Sequence, residues 1–218
     1  MLFDVTRSGL ADLFGEDRLA TLPATAFPPS AADTEGARLL QAVGAPTGTL
    51  FLREVDGGSD RLPLVRDVVH IEDFEDAAAG AEGTEGTEGA GEWPVIGWLL
   101  NAHLALDPAT GTVHAFDADE ETVRQLHADV SSLIQVTLRF QRLLEEFTFS
   151  SGEADEEADE EADFERLDRE VDRIRQETSD IDPFPFQDDD TVWSVIGDEI
   201  AAGQRFRGDS AGAHSPHR

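Results

Sequence analysis

AHLALDPATGTVHAFD, residues 102–117, is the stretch that decides the fold. Leu104 and Leu106 alternate with His103 and Ala105, so one face of a strand is apolar. Asp107-Pro108 opens a turn and Gly111 closes it, and TVHAFD (112–117) returns as a second strand. Upstream, TLFLREV (49–55), VVHIEDF (68–74) and WPVIGWLL (93–100) are short branched or aromatic runs that read as further strands.

The flanks have helical spacing instead. Leu10, Leu13 and Phe14 form a short apolar face broken by Gly15. Asp33 or Thr34 caps a second helix carrying Leu39, Leu40 and Val43, and Gly44 stops it. After the hairpin, Leu133, Val136, Phe140, Leu143, Leu144 and Phe147 mark a long helix. Phe164, Leu167, Val171 and Ile174 mark another. A last one carries Trp193, Ile196 and Ile200, capped by Asp190 and ended by Gly203. Helices, then strands, then helices without regular strand–helix alternation is an α+β order. The expectation is a single α+β domain, a mainly antiparallel sheet packed by helices, with acidic low-complexity inserts.

Two such inserts interrupt it. EGTEGTEGAGE (82–92) has no side chain able to pack and reads as a disordered loop. EADEEADEEAD (153–163) reads as a solvated tether or frayed helix. The organisation expected is a core over 1–149, an acidic linker over 150–163, C-terminal helices over 164–203 packing on the core, and a disordered tail over 204–218.

The 218 residues contain 16 basic residues, all arginine, against 47 acidic ones, a formal charge of −31. Outside the two inserts acids still outnumber arginines by more than two to one, so the folded part is itself acidic. Such a surface repels nucleic-acid phosphates and anionic membranes. Cys, Lys and Tyr are absent, which removes disulfides, thiolate nucleophiles, Schiff bases and phenol chemistry. Neither a signal-peptide pattern nor a membrane-length apolar run is present, and the expected location is the cytoplasm.

Catalytic patterns are weak. His103 and His114 fall on one face of the hairpin, but no third ligand has metal-site spacing. His127, Asp129, Ser131 and Ser132 lie within one local turn and read as helix capping by Asp129 or Ser131 rather than a triad. Asp117 and Asp119 lack the glycine and terminal glutamate of a calcium loop. The reading is therefore no enzyme, no cofactor and no metal. A dense acidic field instead suits a basic protein partner. Candidate partner contacts are Asp117, Asp119, Glu120 and Glu121 past the hairpin, and Asp188, Asp189, Asp190 and Trp193 at the start of the last helix.

Several anchors, in order, carry a resemblance: LFGEDRLATLP (13–23), LLQAVGAP (39–46), LALDPATGTVHAFD (104–117), LHADVSSLIQVTLRF (126–140) and DPFPFQDDDTVWSVIGDEI (182–200). Together they resemble the SUKH superfamily, in its bacterial immunity-protein branch. The resemblance implies an α+β fold and a non-catalytic role. Such proteins bind and neutralise a cognate polymorphic toxin, here expected to be a basic nuclease or deaminase whose active site is occluded. The superfamily also contains regulators of signalling and cell-wall control, so a scaffold role is the alternative. The inserts at 82–92 and 153–163 depart from the pattern.

Overall fold

The computed structural model describes residues 1–46, 61–70, 89–119, 121–149 and 156–206. The strand expected over 49–55, most of the acidic loop, Glu120, and the tail from 207 lie outside the described residues. Among the described residues there are six helices, α1 (Arg7–Phe14), α2 (Glu35–Ala42), α3 (Val65–Val68), α4 (Val130–Glu146), α5 (Glu156–Ser179) and α6 (Val192–Ala201). Six strands accompany them: β1 (Leu19–Ala20), β2 (Ala45–Pro46), β3 (Val95–Leu99), β4 (Ala102–Leu106), β5 (Val113–Asp117) and β6 (Thr122–His127). The class is α+β, with antiparallel two- and four-stranded sheets packed by helices. Two compact units divide the chain, Met1–Gln135 and Val136–Arg218, and α4 begins in the first and ends in the second.

In the first unit the helix ends follow local chemistry. The Thr6 hydroxyl accepts from the Gly9 amide at the start of α1, whose Leu10 and Phe14, four apart, are both buried. The Thr34 hydroxyl accepts from the Ala37 amide at 3.2 Å, fixing the start of α2. Gly44 follows α2 at φ +85°, and a Cβ there would stand 2.7 Å from the carbonyl oxygen of Ala20. Glycine is therefore required where β1 and β2 pair. Gly36 lets α2 approach its neighbours, because a Cβ would meet Val130 at 2.6 Å and Leu106 at 3.4 Å.

The larger sheet is a meander in the order β3-β4-β5-β6, antiparallel throughout. The β4–β5 turn is held by Asp107, whose carboxylate accepts from the Ala109 amide (2.8 Å) and the Thr110 hydroxyl (2.6 Å). Leu104 and Leu106 are buried as the alternation requires, but the opposite face is covered too. Ala105, Phe116 and Val123 pack with Val65, Val69, Ala90, Trp93 and Val95. Of the strand expected over 68–74, Val68 is the end of α3 and Val69 and His70 follow it, while residues 71–74 lie outside the described residues. Residues 89–92 at the end of the loop form a short 3₁₀ turn that buries Ala90.

In the second unit α4, α5 and α6 build an apolar cluster. Phe140 stacks on Trp193 with ring centroids 5.6 Å apart and meets Phe186 edge-on. Leu167, Val171 and Ile174 form the buried stripe of α5, and Trp193, Ile196 and Ile200 that of α6. The cap of α6 is Thr191, one residue after the expected Asp190; its hydroxyl accepts from the Ser194 amide and donates to the Pro185 carbonyl. A Cβ on Gly197 would stand 2.9 Å from the Arg175 guanidinium and 3.2 Å from Val171, so glycine sets how closely α6 meets α5. The acidic repeat is helical from Glu156 onward. Gln204–Phe206, read as tail, are ordered: Phe206 is buried and packs on Phe147 and Phe149.

Candidate functional site

The β5–β6 turn brings three of the expected contacts together. An Asp117 carboxylate oxygen accepts from the Asp119 amide at 2.9 Å. Asp119 in turn accepts from the Asn101 side-chain amide at 3.2 Å, tying this turn to the β3–β4 turn. Both turns therefore stand at one end of the sheet. Asp119 and Glu121 are exposed and Asp117 half-buried, while Glu120 lies outside the described residues. Glu121 adopts φ +53°, as does Leu100 in the β3–β4 turn.

Asp188, Asp189 and Asp190 form an exposed turn of the second unit. The Asp188 carboxylate accepts from the Asp190 amide, and its carbonyl accepts the Ser194 hydroxyl at 2.8 Å. Trp193 is a correction. Its side chain has no exposed surface and lies against Phe140, so it holds the interior of the unit and offers nothing to a partner. A tryptophan next to an acidic run reads as an interface anchor, yet its spacing with Ile196 and Ile200 places it on the inward stripe of α6.

The histidines have structural surroundings. His103 pairs with Phe116 and Ala105 with His114 across the β4–β5 ladder, so both histidines occupy one sheet face. His103 meets Trp98 edge-on and His114 tilts against Trp93, each at 4.8 Å between centroids. The His114 Nε2 sits 3.0 Å from the Thr112 hydroxyl, while the Nδ1 atoms of both histidines are buried without a hydrogen-bond partner. Burial pushes His114 down to about 4, opposed by the nearby Asp107 carboxylate. Burial likewise lowers His103, opposed by Asp117. Both are neutral near pH 7. Among the described residues no three His, Asp or Glu side chains converge as a metal site.

His127 Nδ1 lies 3.0 Å from the Ser132 hydroxyl, and both residues are fully buried. Asp129 does not complete a triad through its hydrogen bonds to the other members of this turn. Its carboxylate accepts from the Ser131 hydroxyl (2.6 Å), the Ser132 amide (2.9 Å) and the Leu2 amide (2.7 Å). This is an N-cap for α4, and Ser132 has no exposed surface.

A groove was missed by the sequence reading. Its volume is about 910 Å³, and its walls come from residues 24–32, 61–68 and the β3 segment Val95–Trp98. The walls are mainly apolar, with Phe27, Leu64, Val68 and Ile96 among them, and Arg61 and Asp67 as their charged groups. Trp98 and, just beyond β3, Leu100 are 37% and 44% exposed. The signal was the apolar run 93–100, whose place as the outermost described strand of the sheet a sequence does not reveal.

The fold defines a small α+β protein that carries exposed acidic turns and an apolar groove. Among the described residues no helix is long and apolar enough to cross a membrane. The chain belongs to the SUKH-4 immunity protein family, whose model matches residues 5–199, a span that takes in residues of both units. No curated protein and no solved structure matches it. The resemblance drawn from the ordered anchors thus holds at the level of the superfamily and its immunity branch.

Proposed function

We propose that the chain is an immunity protein that binds a cognate toxin, a basic nuclease or deaminase, and neutralises it in the cytoplasm by covering its active site. The observation that carries this reading is the family match over 5–199 in a chain of formal charge −31. A toxin acting on nucleic acid needs a basic cleft to hold phosphates, and an acidic protein surface competes for the same cleft. Stable occlusion needs an interface of roughly 1,200–2,000 Å² with apolar anchors at its centre. The carboxylates set the encounter rate and its salt dependence. Asp117, Asp119 and Glu121 in one unit and Asp188–Asp190 in the other are the acidic turns that support the reading.

The test uses the tagged full-length chain as bait in native lysate, eluted by a salt step. The expected result is one basic protein with a nuclease or deaminase domain, released only at high salt. Recovery of signalling or cell-wall proteins in its place would contradict the proposal.

A further inference from the structure

Strand β3 links the groove to the acidic end of the sheet. Val95–Trp98 is a wall of the groove, and the same strand runs directly into the Leu100–Asn101 turn. Asn101 is hydrogen-bonded to Asp119, so Leu100 is flanked by the turn that carries Asp119 and Glu121. Along β3 and this turn the character changes in one direction, from apolar walls through the exposed rings and methyls of Trp98 and Leu100 to carboxylates.

Leu100 is the informative residue. Its φ of +53° is a conformation that favours glycine or asparagine, and its side chain is 44% exposed. Neither the backbone nor burial in the free protein accounts for leucine there. An apolar side chain held out beside carboxylates suits a partner that buries it and carries opposite charge.

We propose that this face, the groove along β3 with Leu100 and the Asp119 and Glu121 carboxylates, takes an extended segment of the protein partner. The segment's apolar side chains occupy the groove, and its arginine or lysine side chains meet the carboxylate end. The inference rests on the reading that the chain binds a basic protein, and it names the face that does so.

The probe is a synthetic peptide of alternating valine and phenylalanine ending in arginines. A control peptide keeps the arginines and replaces the apolar residues by serine. Amide shifts of the isotopically labelled full-length chain report the site, and a titration gives the affinity. The expected shifts concentrate at Ile96–Asn101, Asp119 and Glu121, with the control peptide bound at least tenfold more weakly. Leu100→Asn suits the left-handed backbone, so it keeps the fold; it is expected to weaken the peptide about tenfold through lost apolar burial. Asp119→Asn retains an acceptor for the Asn101 amide. Combined with Glu121→Gln, it is expected to weaken binding about threefold at low salt and to flatten the salt dependence.

Equal binding of the control peptide would reduce the face to unspecific charge and overturn the proposal. So would unchanged affinity in Leu100→Asn, or shifts centred on Asp188–Asp190. Groove amides already protected in the free chain and unmoved by the peptide would assign the groove to another part of the same chain. Concentration-dependent dimerisation abolished by Leu100→Asn would assign the face to a second copy. If lysate capture yields the basic toxin and the peptide fails, the face is wrong and the immunity reading stands. If the peptide behaves as expected and capture yields regulators, the face stands without the toxin.

Discussion

Trp193→Ala is expected to lower the melting temperature of the chain by on the order of 10 °C. Trp193 has no exposed surface and stacks on Phe140 at 5.6 Å, with Ile196 and Ile200 on the same buried stripe. Truncating a buried tryptophan costs about 3–5 kcal/mol, from lost transfer energy and from the cavity left behind. Domains of this size have total stabilities of about 5–15 kcal/mol, so the loss is a large fraction. At about 2–4 °C per kcal/mol for chains of this length, the shift is easily measured by circular dichroism. Trp193→Phe keeps an aromatic face for Phe140 and should lose less. A Trp193→Ala protein that melts within a degree or two of the parent, but binds its partner poorly, would return Trp193 to the surface and contradict the buried position.

Acid should destabilise the first unit through His114. Its imidazole is held down to about 4 in the fold, against about 6.5 in an unfolded chain. Between those values the unfolded chain binds a proton that the native chain refuses. Stability is therefore fully present above about pH 6.5 and is lost as pH falls towards 4, by about 3 kcal/mol in total. His103, lowered by burial as well, adds in the same direction. His114→Leu removes the titration and also the unpartnered Nδ1 atom, leaving an apolar side chain beside Trp93. Urea unfolding of the parent and the variant from pH 7 to pH 4.5 separates this effect from the carboxylates, which titrate in both. The expected result is a gap between the two that widens towards acid in favour of His114→Leu. Parallel pH profiles would show that His114 accepts its proton without cost.

Much of the fold was legible because local chemistry and long-range packing agree at the element ends. Thr34 caps α2, Gly15 and Gly44 take positive φ at helix ends, and Asp107 and Gly111 make the β4–β5 turn. The hairpin register follows from the alternation of Leu104 and Leu106. Strand β6 was not legible. In TVRQLH the polar Arg124 and Gln125 separate Val123 from Leu126, and the period of two is lost although all six side chains are at least half-covered. The second buried sheet face was hidden for a related reason: Ala105 packs with α3 and Trp93, His114 tilts against Trp93 and His103 meets Trp98.

The acidic repeat shows propensity outweighing charge. Alanine and glutamate are strong helix formers, and downstream arginines pair across turns. Asp163 meets Arg166 at 2.9 Å and Arg173 meets both Glu170 and Glu177 at 2.6 and 3.0 Å. The exposure of Asp119, Glu121 and Asp188–Asp190 was legible because turns are polar and lie at the surface. Trp193 was misplaced, since exposure depends on which face of a helix packs. Leu100 and the groove were invisible, since they depend on β3 being the outermost described strand of its sheet and lying beside residues 24–32 and 61–68.

The most direct measurement is neutralisation. The basic protein captured from native lysate is assayed as a nuclease or deaminase with increasing amounts of the full-length chain. The account predicts that activity falls to background near equimolar chain and returns as salt is raised. Full activity in the presence of excess bound chain would contradict it, because a partner that is held but still active has not had its active site covered.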